Sequence, residues 1–182
     1  EKPSIIKDLT FQSILTTAKD ILPDLRQSVD LLIVAYHGGF ERDLQTGLPT
    51  ESLTGENEAY QLVEEYKDYI DALVTGHQHR EIADHLFGVP VIQPGYRGAF
   101  VGEIELELDN HKKVVASNAR LHKTENCKVS SEVNQLISDV STEAEDWLDQ
   151  PMGEVHGEMI IRDPMTARLI EQDRKSTRLN SS

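Results

Sequence analysis

Two short apolar runs, each closed by a histidine set among glycines, constrain this chain more than any other feature. Leu31-Leu32-Ile33-Val34-Ala35-Tyr36 runs into His37-Gly38-Gly39, and Ala72-Leu73-Val74-Thr75 runs into Gly76-His77-Gln78-His79. Runs this short and rich in branched residues read as strands, not buried helices. The first, apolar at every position, predicts a strand buried on both faces. Between them Ala59, Tyr60, Leu62, Val63 and Tyr66 mark one face of a helix over 57–67. Strand, helix, strand in this order is a βαβ-like unit, and α/β sheets bind ligands beyond the carboxyl ends of their strands. Glycine beside the histidines would let the backbone approach a ligand closely and adopt positive φ. His77 and His79, two residues apart, would present both rings to one side of an extended segment. Neutral imidazole is a common ligand for zinc, manganese and iron. A histidine at a strand end is, however, more often a hydrogen-bonded structural residue, and Gly-His-x-His is short enough to arise by chance. Spacing alone leaves both readings open.

Around this unit the chain alternates in the same way. Phe11, Ile14, Leu15, Ala18, Ile21, Leu22 and Leu25 predict an amphipathic helix over 9–29, kinked or ended near Pro23. Residues 40–56 read as loop. Val89 to Gln93 predicts a strand. Residues 99–108 alternate Val101, Ile104, Leu106 and Leu108 with Glu103, Glu105 and Glu107, a half-exposed strand with a solvated acidic face. Asp109 to Lys112 turns the chain into a further strand over 114–121. Residues 129–148 predict a helix with Val133, Leu136, Ile137, Val140, Ala144 and Leu148 on one face, stopped by Pro151.

Charge narrows the function classes. With 18 Lys and Arg against 32 Asp and Glu, the net charge is −14. Such a chain repels phosphate backbones, so a nucleic-acid polymer is not an expected partner. A small phosphate ester remains open if metals carry the positive charge. The single cysteine, Cys127, gives no internal disulfide and no CxxC zinc site. No apolar run approaches the ~20 residues of a membrane-spanning helix.

The two histidine segments do not stand alone. Between them lies Gly55-Glu56-Asn57-Glu58-Ala59-Tyr60, and after them Val91-Ile92-Gln93-Pro94-Gly95. In this order the segments resemble the calcineurin-like metallophosphoesterases of the 5′-nucleotidase family. The Gly-Glu-Asn-x-Ala-Tyr segment is most similar to the branch of 2′,3′-cyclic-nucleotide 2′-phosphodiesterase/3′-nucleotidases. The resemblance covers roughly residues 3 to 172. It implies an α/β fold: the C-terminal portion of a metallophosphoesterase β-sandwich flanked by helices (1–125), a linker helix (126–150), and the start of a C-terminal domain (151–172).

The resemblance also implies two divalent metal ions, such as manganese or zinc. His37 and His77 match ligands of one ion and His79 a ligand of the other. Asn57 is a candidate substrate-binding residue at the site rim, or else the N-cap of the helix it precedes. The family's Asp-x-His, Gly-Asp and Gly-Asn-His-Asp/Glu motifs do not occur here, so the bridging Asp and the catalytic His are expected in a missing N-terminal part. The expected activity of the whole protein is metal-dependent hydrolysis of nucleotide phosphoesters, with a nucleotide or cyclic nucleotide as substrate. The fragment itself is expected to be inactive. The rivals are a related dimetal phosphohydrolase with a non-nucleotide or nucleotide-sugar substrate, and a non-enzymatic metal-binding module. Glu56 is read as structural and Arg97 as a solvated loop residue. His85, His111, His122 and His156 are read as surface residues. Localisation and protein partners are left open.

Residues 173–182 differ in composition and resemble a translated sequencing-adapter tail. Leu179 is the one large apolar residue among them. That is too little to offset ~1–2 kcal/mol of backbone ordering per residue. Deleting residues 173–182 should leave the thermal unfolding midpoint unchanged; a drop of several degrees would show that the tail belongs to the fold.

Overall fold

Parallel pairing of the two histidine-terminated strands sets the architecture. In the structure, a computed structural model that describes residues 7–151, β1 (Ile33–Tyr36) and β2 (Ala72–Thr75) lie side by side. Their register runs from Ile33 opposite Ala72 to Tyr36 opposite Thr75. The C-terminal domain expected from 151, His156 and the 173–182 tail lie outside the described residues. The chain divides into two units, 1–127 and 128–182.

In the first unit, β2 pairs in parallel with β4 (Val89–Pro94), which pairs antiparallel with β3 (Glu81–Leu86), giving the order β1-β2-β4-β3. One face of this sheet is covered by α1 (Ile14–Ser28) and α2 (Ala59–Tyr66). Ala18 and Leu22 of α1, Leu62 and Val63 of α2, and Leu73 and Val91 of the central strands are all buried in that core. Against the other face lies a two-stranded antiparallel sheet, β5 (Phe100–Leu108) with β6 (Val114–Lys123). A Cβ at Gly102 would stand 2.7 Å from Ile92 Cδ1, so only glycine lets β5 approach β4 this closely. The arrangement is a mixed α/β fold in which β4 lies between the helices and the β5–β6 sheet, and its residues Val89 to Gln93 are all buried.

Several expectations change in detail. α1 begins at Ile14, capped by Ser13, whose Oγ accepts from Leu15 N at 3.1 Å. Phe11 lies before it and is exposed. Pro23 neither ends nor replaces the helix, which continues to Ser28. β1 is not buried on both faces: it is an edge strand, with Val34 and Tyr36 against the core and Ile33 60% exposed. The whole of β3 escapes the periodicity reading, because Asp84 stands in the inward series with Ile82 and Leu86. Its turn to β4 is Phe87-Gly88, both at positive φ (50° and 87°), the backbone a two-residue hairpin demands.

The second unit's described part holds α3 (Ser131–Leu148). Ser130 caps it through a bond from Val133 N at 3.3 Å, and its stripe of Val133, Leu136, Ile137 and Val140 is exposed.

One polar corner joins α1 to both parallel strands. Asp71 Oδ2 accepts from Leu32 N at 2.7 Å and from Arg26, while Asp71 N donates to Leu32 O at 2.9 Å. Arg26 also donates to Asp30 O at 2.6 Å and to Val29 O at 3.1 Å. Asp71→Ala would leave the buried Leu32 N–H without its acceptor, costing about 1–3 kcal/mol. Urea unfolding should register that loss; an unchanged midpoint would show that the corner contributes nothing.

Candidate functional site

Because β1 and β2 run parallel with Tyr36 opposite Thr75, the residues that follow them emerge at one end of the sheet. The pairing continues past the strands through Gly76 N to Gly38 O at 3.1 Å. His37 and His77 thus stand side by side, ring centroids 5.5 Å apart and planes at 66°. Two imidazoles bound through nitrogen at ~2.0–2.1 Å to one tetrahedral ion have centroids about 5 Å apart. The centroid spacing of His37 and His77 is close to that value. Among the described residues no group of three or more His, Cys, Asp or Glu side chains is gathered closely enough to hold a metal.

His79 goes elsewhere. Its ring stacks on Tyr96 at 5.1 Å and 15°, and the Arg97 guanidinium lies 5.3 Å from the centre of the same Tyr96 ring. The segment is not extended, so the two-residue alternation behind the expectation for His77 and His79 does not apply to it. His77 and His79 have φ of 67° and 60°, a left-handed backbone uncommon outside glycine and frequent at functional sites. The expected roles are thus exchanged, and Gly38 and Gly39 instead supply room. A Cβ on Gly38 would stand 2.2 Å from the Tyr36 ring, and one on Gly39 would stand 2.1 Å from Gln78 Oε1.

The strained loop is held at several points. Gln78, between the histidines, accepts from Phe40 N at 2.9 Å and donates to Phe40 O at 3.1 Å and to Glu51 at 3.0 Å. Beyond His79, Arg80 N donates to Gln93 Oε1 at 2.7 Å. Gln93, fully buried, donates to Thr75 Oγ1 at 3.1 Å, which donates to Ile92 O at 3.0 Å. This chain ties the loop's exit to β2 and β4.

Asn57 is neither at the rim nor a helix cap. It is buried, its Oδ1 accepts from Gly39 N at 2.6 Å, and its Nδ2 donates to Glu51 at 2.8 Å. With its Oδ1 and one Nδ2 hydrogen engaged, it braces the His37 loop. Glu58 occupies the N-cap position of α2 without a side-chain capping bond. The cap comes from the far side of the loop: buried Glu41 accepts from Tyr60 N and Gln61 N, each at 3.0 Å. A carboxylate suits the positive end of a helix. Glu56, read as structural from sequence, is exposed and reaches the site, with Oε1 2.9 Å from His77 Nε2. Tyr36 donates to Glu56 O at 3.2 Å. Partial burial, reinforced by the charges of Glu58, Glu41 and Glu56, pushes the Tyr36 phenol above its ordinary pKa.

The remaining candidates are peripheral. Arg97 is exposed and engaged with Tyr96. His85 and His122 have partners after all, Ser117 Oγ at 2.9 Å and Glu103 at 3.1 Å. Glu103 and Glu105 join Arg120 in a cross-strand ladder on the exposed hairpin, where ion pairs contribute little.

Comparison with known proteins agrees with the family resemblance. The chain is 29% identical to the 2′,3′-cyclic-nucleotide 2′-phosphodiesterase/3′-nucleotidase of Salmonella typhimurium, covering 60% of this chain and 18% of that protein. It is 26% identical to the trifunctional nucleotide phosphoesterase YfkN of Bacillus subtilis, covering 60% of this chain and 8% of that protein. A Staphylococcus aureus crystal structure assigned as a 5′-nucleotidase, in complex with α-ketoglutarate, superposes with a TM-score of 0.75 and 35% identity. That match covers 95% of this chain and 36% of the other. No family model matches the chain. The chain is therefore related to nucleotide phosphoesterases and spans a minor part of the length of each relative.

Gln78→Ala removes the only acceptor recorded for the fully buried Phe40 N–H without touching a histidine. Amide exchange at Phe40 should rise by about 10–100-fold, the equivalent of ~1–3 kcal/mol for an unmet buried donor. Unchanged exchange at Phe40, followed by NMR, would show that the clamp does not hold the loop.

Proposed function

We propose that this chain carries part of the dimetal site of a nucleotide phosphoesterase. The whole protein would hydrolyse 2′,3′-cyclic nucleotides and 3′- or 5′-nucleotides. The observation that carries the reading is the His37–His77 pair, set by parallel strand register at the carboxyl end of the sheet with a spacing close to that of two imidazoles on one ion. The named activities of the Salmonella and Bacillus relatives support the same substrate class.

Charge supports a cation as well. Glu41, Glu51, Glu56 and Glu58 all stand on the loops around the histidines. A phosphate ester approaching these carboxylates unaided would be repelled. His37 and His77 would hold one divalent ion, and His79, turned off Tyr96, would serve the second. Bound there, such ions would neutralise phosphate oxygens and activate a water for in-line attack. The chain's own contribution is positional. Asn57 and Gln78 keep the His37 and His77 loops in fixed relation, and Gln93 anchors the exit of the second loop. The bridging carboxylate and the catalytic histidine that the resemblance implies are assigned to the remainder of the longer protein.

The test is hydrolysis of 2′,3′-cyclic AMP and of bis-p-nitrophenyl phosphate with Mn²⁺ or Zn²⁺. It compares this chain with one extended at its N-terminus to the length of the relatives. The 182-residue chain should show no turnover, and the extended chain should be active. His37→Ala or His77→Ala in the extended chain should each lower activity by more than the roughly 10–100-fold typical of losing an outer-shell partner. Metal-dependent turnover by the short chain would overturn the division of the site. An active extended chain indifferent to both substitutions would overturn the ligand roles.

A further inference from the structure

We propose that Glu56 is a positioning residue that fixes the His77 imidazole with its proton on Nε2, leaving Nδ1 as the lone pair His77 can offer a cation. The second half of the statement rests on the reading of His77 as a metal ligand; the first half does not.

The argument starts from the acceptor. Glu56 Oε1 lies 2.9 Å from His77 Nε2. An ionised carboxylate can only accept, so the ring nitrogen facing it must carry the proton. In the neutral ring the lone pair is then on Nδ1.

Both partners are presented by constrained backbone. Glu56 follows Gly55, which turns the chain at φ 81°, and its own carbonyl accepts from Tyr36. The next residue, Asn57, is buried and bonded to Gly39 and Glu51. His77 sits at φ 67°, between the Gly76–Gly38 backbone bond and the Gln78 clamp.

The neighbouring carboxylates are committed elsewhere. Glu41 caps α2, Glu51 receives the amides of Asn57 and Gln78, and Glu58 receives Ser13 Oγ at 3.2 Å. Of these four glutamates, Glu56 is the one that reaches an imidazole. A carboxylate on the far nitrogen of a ligating histidine orients the ring and raises its basicity toward the metal.

The experiment uses the 182-residue chain with ¹⁵N-labelled histidine, metal-free, at a pH where the rings are neutral. The ring-nitrogen shifts of His77 should be those of a single Nε2–H tautomer. Exposed His111, in the β5–β6 turn, should show the averaged pair of a free ring. Glu56→Ala should move His77 toward the His111 values. Glu56→Gln, whose amide can accept from or donate to Nε2, should give His77 shifts between those of wild type and Glu56→Ala. Wild-type His77 shifts matching those of His111, or His77 shifts unmoved in Glu56→Ala, would overturn the proposal.

A second arm separates the two halves. In a Zn²⁺ competition titration Glu56→Ala should weaken binding by about 10–100-fold. In the chain extended at its N-terminus, a fixed tautomer with Zn²⁺ binding indifferent to Glu56 would refute the metal role of His77 and leave the Glu56–His77 contact standing.

Discussion

The site depends on the parallel register of β1 and β2. With Tyr36 opposite Thr75, residue 37 emerges beside residues 76 and 77. A slip of two residues would preserve the inward and outward faces of both strands, since side chains repeat every two positions. It would nevertheless carry His37 away from His77. Facing alone therefore cannot hold the site, and polar bonds do so at both ends. Asp71 and Arg26 lock the entry, where Leu32 N and O both pair with residue 71. Beyond the strands, the Gly76–Gly38 bond and the Gln78 clamp lock the exit.

These bonds form a second, polar core behind the histidines. Asn57, Gln93, Glu41 and Thr75 are all buried, and among the described residues no buried side-chain nitrogen or oxygen lacks a partner. Full satisfaction matters because a buried polar group left unmet costs more than a met one contributes. It also links elements far apart in the chain. Glu41, four residues beyond His37, caps α2, and Asn57, two residues before α2, holds Gly39. The helix between the strands and the loop that follows β1 thus stabilise one another. Left-handed backbone at His77 and His79 is tolerated within this frame.

The apolar runs made β1, β2 and β4 legible and alternation made β5 legible, because burial on one or both faces writes itself into residue type, and the turn after β5 pointed to β6. β3 was hidden by Asp84 in its inward series. The edge position of β1 was hidden because an apolar run says nothing about how many neighbours a strand has. Glycine-flanked histidines after two strands marked loops that the parallel pairing brings side by side. What they could not convey was tertiary pairing: that Gln78 would bond to Phe40, that Glu41 would cap a helix 18 residues away, or that His79 would stack on Tyr96. Such contacts follow no period. Asn57 shows the ambiguity well, since an asparagine before a helix reads as a cap or a ligand contact, and its bonds to Gly39 and Glu51 follow from neither reading.

The exposed flank of β1 bears on how copies of this chain behave together. Among the described residues β1 pairs on one side only, with β2, and Ile33 is 60% exposed. Neither lysine nor proline guards the strand Ile33–Tyr36, the devices by which edges usually resist pairing with a neighbour. What separates the copies is long-range repulsion from a net charge of −14. That barrier has a reach of only about 8 Å at physiological ionic strength. It vanishes as the solution approaches the isoelectric point near 4.8. The acidity of the chain therefore acts as its colloidal stabiliser, and salt and mild acid both weaken the repulsion between copies.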